Sequence, residues 1–234
     1  IAAKFLKARF GEVMGQTIYT FISDGGIQEE ISQGTGRLAG HLGLDNLIMF
    51  YDSNDIQLST GTSAVTSEDA AKKYEAWNWN VIKINGNDPD EIRKALTAAK
   101  AEKGRPTIII GKTIMGKGAV TANHESFERK CSTHGQPLSA SGACYDETIK
   151  NLGGDPADAF KIFPEVAELY AKRAAELKKI VAAKQAAKAE WAKANPELAA
   201  KLEVFFSGKA PKVDWAGIKQ KANDATRGAS ATVL

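Results

Sequence analysis

Two short apolar runs, each ending in polar residues and separated by a helical stretch, constrain this chain most. Thr17-Ile18-Tyr19-Thr20-Phe21-Ile22 leads into Ser23-Asp24-Gly25, and Leu47-Ile48-Met49-Phe50-Tyr51 leads into Asp52-Ser53-Asn54-Asp55-Ile56. Apolar runs of this length, bounded by turn residues, read as buried strands. Asp24 and Asn54 stand thirty residues apart, about the length of one β-α-β unit. Parallel strands joined this way are expected to be neighbours, which brings both polar side chains to one crevice at the strands' C-terminal ends. Ligands of open α/β sheets bind there. A carboxylate and an amide oxygen are hard ligands, suited to a Mg²⁺ ion that carries a diphosphate.

The alternation continues along the chain. Residues 1–14 read as a helix ended near Gly15, 17–22 as a strand, 27–42 as a helix and 46–51 as a strand. A polar loop over 53–66 precedes a helix running to about Trp77. Ser67 is its expected cap, and Glu68 and Asp69 fall in its first turn, where acidic groups oppose the helix dipole favourably. Residues 79–84 read as a strand. Asp88 is the expected N-cap of the next helix, with Pro89 first and Glu91 third; that helix ends near Lys103-Gly104, and 107–110 is a further buried strand. The pattern predicts an α/β fold, a parallel sheet with helices on both faces. Residues 119–140 form a long polar loop, a kind that is usually functional or mobile. From about Val166 to Ala194 the chain has the Ala, Lys and Glu content of a strong helix. A helix from Pro196 follows, with Leu198, Leu202, Val204 and Phe205 as its apolar face, and then a linker over Lys209–Val213 around Pro211.

Composition excludes little and redirects little. The 43% hydrophobic and 25% charged content is ordinary for a soluble globular chain. No run has the length of a membrane span, and no secretory signal is visible. A net charge of +3 is too small to argue for nucleic acid, and the lysines of the long helix interleave with glutamates as on a solvated face. Cys131 and Cys144 have neither metal-ligand spacing nor a dense disulfide pattern. A reducing, cytoplasmic setting fits them, with a bridge between them the disfavoured alternative.

The Asp24–Asn54 spacing resembles the thiamine-diphosphate signature, Gly-Asp-Gly followed some thirty residues later by Asn. Neighbouring motifs narrow the resemblance to the transketolase family. Asp24-Gly25-Gly26-Ile27-Gln28-Glu29-Glu30-Ile31-Ser32 is similar to its DGxxxEGIS stretch, and Leu38 to Ile48 to its LAGxLxLxxLI stretch. Tyr51 to Ile56 matches YDxNxI, Tyr74 to Trp79 resembles FEAxxW, Lys112 to Gly118 matches KTxxGxG, and Thr133 to Leu138 matches the HGxPL loop. Six motifs in order form a specific signal where any one alone is weak. The resemblance implies transfer of a two-carbon ketol unit from a ketose phosphate to an aldose phosphate, as in the pentose phosphate pathway. It also implies the thiamine-diphosphate-binding fold, thiamine diphosphate with Mg²⁺ (or Ca²⁺ or Mn²⁺), and a homodimer with the cofactor at the subunit interface. No nucleic acid or membrane partner is expected.

Residue by residue, the resemblance assigns Asp24, Asn54 and the backbone of Ile56 to the metal. Asp24, Gly25, Glu29, Asn54, Leu58 and His134 go to the cofactor, His134 also to catalysis, and Arg227 to the sugar-phosphate terminus. Read without the resemblance, Asp24 caps the helix after its strand, Asn54 is a turn residue and Leu58 a core leucine. Lys112 and Lys117 are charges at a strand end or face a phosphate; His41 and His124 match no motif. Ser23, Glu30, Gly34 and Cys131 depart from the family pattern, and Gly34 replaces a glutamate that couples the two subunits' sites. The expected organisation is an α/β domain over 1–150, a helical extension and linker over 151–224, and the start of a pyrimidine-binding domain over 225–234. The chain reads as one piece of a longer polypeptide, with the cofactor-activating glutamate outside it. Two alternatives stay open: another thiamine-diphosphate enzyme, such as 1-deoxyxylulose-5-phosphate synthase or a 2-oxo acid dehydrogenase subunit, and a non-catalytic module that holds cofactor or dimerises.

Overall fold

A computed structural model describes residues 1–210 and 212–234; Pro211, at the centre of the expected linker, lies outside the described residues. The described chain divides into two compact units, residues 1–184 and 185–234.

The first unit is built on a four-stranded parallel sheet. Its strands are β1 (Ile18–Ser23), β2 (Leu47–Ser53), β3 (Asn80–Asn85) and β4 (Thr107–Lys112), in the order β1-β2-β4-β3. Helix α1 spans Ala2–Phe10, α2 Glu30–His41, α3 Ala70–Ala76 and α4 Pro89–Ala101. Alternate residues of a strand face opposite sides, and β2 shows this directly. Met49 and Tyr51 pack with Ala39 of α2 and Tyr74 of α3, whereas Ile48 pairs off with Ala95 and Ala99 of α4 on the other face. Helices therefore cover both faces, as expected, although the cover is incomplete over the edge strand β1, where Phe21 is 81% exposed. Gly40 explains how closely α2 approaches the C-terminal end of α3. A Cβ there would lie 1.7 Å from the Trp77 carbonyl oxygen, so only glycine fits.

Several element ends differ from expectation for local reasons. The first helix stops at Phe10 because Gly11 adopts φ 84°, and a short 3-10 turn over Glu12–Met14 follows. Asp69, not Ser67, caps α3, its side chain accepting from the Lys72 amide. Asp88 caps α4 with Pro89 behind it, as expected, but Glu91 turns away from the cap and accepts from the Asn85 amide. The helix expected from Ile27 begins at Glu30, after a 3-10 turn over Gly26–Gln28. The long polar segment after β4 is tethered: Val120 and Ser126 form an antiparallel bridge, and the Gly118 amide donates to Glu128. It carries the short helices α5 (Leu138–Ser141) and α6 (Tyr145–Asn151).

Helix α7 (Pro164–Ala194) has no buried residue, as a solvated Lys/Glu-rich helix should. In the second unit, α8 (Pro196–Phe206) buries Leu202, while Val204 and Phe205 of its expected apolar face are exposed. Helix α9 spans Thr226–Val233. Among the described residues no helix is long and apolar enough to cross a membrane.

Candidate functional site

Parallel pairing of β1 with β2 sets the site. Ile22 pairs with Tyr51 and Ser23 with Asp52, so both chains leave the sheet side by side. Asp24, the first residue past β1, is 1% exposed. Its Oδ2 accepts from the Asn54 amide at 2.9 Å and the Asp55 amide at 3.0 Å. Its Oδ1 accepts from the Tyr51 hydroxyl at 2.6 Å. Asp24 caps no helix: α2 starts after Glu29, and the turn over Gly26–Gln28 has no side-chain cap. Among the described residues, Asp24 has no ion-pair partner. A buried carboxylate without a countercharge is costly, and a carboxylate offers about four acceptor positions. Three are taken, which leaves one on Oδ1.

Asn54 is likewise buried. Its Oδ1 accepts from the Ile56 amide at 3.0 Å and, as an amide oxygen, retains a second lone pair. Among the described residues no three His, Cys, Asp or Glu side chains cluster as a metal site. The donors gathered here are instead one carboxylate and one amide oxygen, with the Ile56 backbone two residues on. These all-oxygen donors suit a hard divalent cation. Asp55 completes the turn at φ 67° and pairs with Lys112 at the end of β4; Asp52 accepts from Thr113. Lys112 thus faces a carboxylate. Lys117 is exposed.

Two clefts flank the Ser23–Gly25 turn. One, of about 410 Å³, is lined by Asp24, Tyr51, Asp55 and residues of the 62–71 segment. The other gathers Ser23, Gly25, Gln57, Leu58, Ser59 and His134. Gly25 has φ −70°, and a Cβ added to it would meet no protein atom within 4 Å. Neither backbone conformation nor packing requires glycine there, so the open flank is room for a ligand. Leu58 is 71% exposed in the same cleft, which excludes a core role. His134 is half-buried and lines this cleft, while its Nδ1 lies beneath the surface as a buried polar atom without a partner among the described residues. Ser23 Oγ accepts from the Gly26 amide at 3.4 Å.

Other expected residues do not line these clefts. Glu29 is exposed at the N-cap of α2 and lines neither cleft. Glu30 is exposed in the first turn of α2, and Gly34 has open space around it. Arg227 is exposed on α9 in the second unit. His124 lies 3.5 Å from Glu147, and His41 is exposed. Cys131 and Cys144 are free; the Cys131 carbonyl accepts from the His134 amide. Two residues escaped the sequence reading. Tyr51 reads as the end of an apolar strand, and Gln28 only as part of the helix expected over 27–42. Gln28 Nε2 in fact donates to the Asp24 carbonyl and to Gln57, tying the two turns together. Burial and the Asp24 hydrogen bond push the Tyr51 phenol well above its ordinary pKa, so it stays a neutral donor. A hydroxyl on the last apolar residue before a polar turn is the signal that marks it.

The sequence profile described as transketolase, thiamine diphosphate binding domain, matches residues 1–211. A transketolase of Staphylococcus epidermidis is 37% identical over 215 residues, 90% of this chain and 31% of that protein. A dihydroxyacetone synthase of Pichia angusta is 35% identical over 214 residues, 91% of this chain and 29% of that protein. Among solved structures, a transketolase variant from Pichia stipitis in complex with fructose-6-phosphate superposes with a TM-score of 0.82 at 28% identity, covering 99% of this chain and 34% of that one. The chain thus spans about a third of the length of the relatives it matches. By profile, sequence and fold together, it belongs to the transketolase family, through that family's thiamine-diphosphate-binding domain.

Proposed function

We propose that this chain is the cofactor-anchoring part of a transketolase that moves a two-carbon ketol unit from a ketose phosphate to an aldose phosphate. The observation that carries the reading is the buried, unpaired carboxylate of Asp24 beside Asn54, with one acceptor position free. When bound, thiamine diphosphate supplies a thiazolium that takes up the electrons of the breaking carbon–carbon bond. The chain's own residues do the rest. Asp24, Asn54 and the Ile56 backbone hold Mg²⁺ or a similar divalent ion. Gly25 leaves the diphosphate room, and Leu58 supports the cofactor ring. His134 donates to diphosphate or substrate oxygens and moves a proton at a substrate hydroxyl, as an imidazole can near neutral pH. Glu29 contributes from the start of α2. Arg227 grips the sugar phosphate, for which a guanidinium is suited by its paired donors.

The cofactor assignment rests on the family match. The divalent ion rests on the oxygen donors at the crevice, and the sugar phosphate on the fructose-6-phosphate complex of the Pichia stipitis relative. The proposal includes a homodimer with the cofactor between subunits, a role in the pentose phosphate pathway, and a cytoplasmic setting in keeping with two free cysteines. It also divides the chain into a cofactor domain over 1–150, an extension and linker over 151–224, and the beginning of a further domain over 225–234. A second reading is favoured by the Pichia angusta relative. Dihydroxyacetone has three carbons, so a two-carbon unit must there meet a one-carbon aldehyde acceptor. Assays offering an aldose phosphate or formaldehyde to the full-length protein separate the two readings. The cation–diphosphate site is tested by titrating thiamine diphosphate with Mg²⁺ into the full-length protein. Binding is lost in Asp24→Ala and Asn54→Ala if the reading holds; unchanged affinity refutes it.

A further inference from the structure

Asp24 is held from two sides of different character. The Asn54 and Asp55 amides fix Oδ2, and they come with the backbone turn whatever its side chains are. Among the described residues, Oδ1, the oxygen with a free acceptor position, is fixed by one side chain, the Tyr51 hydroxyl at 2.6 Å. The Tyr51 ring is anchored in the core among Ile27, Met49, Tyr74 and Ile108, so its hydroxyl arrives at Oδ1 from a rigid base. Tyr51 lies opposite Ile22, two residues before Asp24, which lets one ring on β2 reach past the end of β1.

We infer that Tyr51 is a positioning residue: by donating to Asp24 Oδ1 it fixes the carboxylate in the orientation that receives the divalent cation. The inference rests on the metal reading above and assigns a role to a residue outside that donor set. Without the hydroxyl, the carboxylate keeps its two amide bonds but can swing about them, and Oδ1 no longer has one defined place. Partners that orient a metal-ligating group typically change metal affinity by about 10- to 100-fold when removed. Tyr74 provides the comparison. It belongs to the same buried cluster and is 1% exposed, but it makes no hydrogen bond to Asp24.

The test is Mn²⁺ affinity in the presence of thiamine diphosphate, read by electron paramagnetic resonance of the full-length protein well below its unfolding temperature. Tyr51→Phe weakens Mn²⁺ about tenfold or more, and Tyr74→Phe leaves it unaltered. Replacing Tyr51 by p-aminophenylalanine, which restores a donor on the same ring, brings affinity back to near wild type. Wild-type or tighter Mn²⁺ binding in Tyr51→Phe overturns the inference. So does a loss that p-aminophenylalanine fails to rescue, or an equal loss in Tyr74→Phe, since either would trace the effect to packing. Asp24→Asn separates the two levels. If it binds Mn²⁺ like wild type, the metal reading itself fails and this inference falls with it. If it loses Mn²⁺ while Tyr51→Phe does not, only the role of Tyr51 is refuted.

Discussion

The crevice at Asp24 and the loop that carries His134 are built in opposite ways. Asp24 is buried, sits one residue past a paired strand, and takes three hydrogen bonds from β2 and its turn. His134 follows a 3-10 turn over Cys131–Thr133, its amide donates to the Cys131 carbonyl, and its buried Nδ1 has no partner among the described residues. The first group is placed by sheet register and needs no ligand to be in position. The second is placed by local turns, outside the sheet register. A preformed anchor with an adaptable functional group suits a domain that must hold one end of a cofactor firmly while substrates exchange at the other.

The contrast can be broken or sharpened by substitution, starting with the largest effect. Asp24→Ala removes the anchor and is expected to weaken Mg²⁺-dependent thiamine diphosphate binding by more than about 100-fold, beyond the cost of losing a supporting hydrogen bond; calorimetric titration reads this. His134→Ala should lower ketol transfer about 100-fold, the scale of a lost general acid or base. Cofactor affinity should fall by a smaller factor than turnover, and circular dichroism should stay near wild type. Collapse of the fold would show that the loop is structural after all. Gly25→Ala should leave the unfolding midpoint in urea unchanged, because the added methyl meets no protein atom. Diphosphate affinity should nevertheless fall severalfold. An unchanged affinity would mean that the open flank is not where the diphosphate lies. Glu128→Ala removes the acceptor of the Gly118 amide. It should change global stability by no more than about 1 kcal/mol, yet speed limited proteolysis within 119–134, since loop opening is local. Equal cleavage rates would show that the tether is idle.

The same contrast explains what was legible in the sequence. The parallel sheet, its two covered faces and the meeting of Asp24 with Asn54 followed from apolar runs and a thirty-residue spacing, because strand pairing converts spacing into proximity. Asp88 and Pro89 announced α4 through chemistry confined to a few residues. The start of α3 was misplaced because Ser67 and Asp69 are both good caps two residues apart, and it is Asp69 that accepts from the Lys72 amide. The Tyr51 hydroxyl bond was invisible because it joins residues 27 apart through a side chain that patterning counts only as apolar. His134 could be singled out only by motif, since nothing in local composition separates it from His124, which pairs with Glu147. Arg227 and Glu29 remain readings by resemblance: Glu29 is exposed and lines neither cleft, and Arg227 is exposed on a helix of the second unit.

The most direct test of the account is the anomalous difference map of full-length protein crystals grown with thiamine diphosphate and Mn²⁺. The account predicts a Mn²⁺ peak in contact with the side-chain oxygens of both Asp24 and Asn54. A peak elsewhere, or a bound cofactor whose metal touches neither residue, would contradict it.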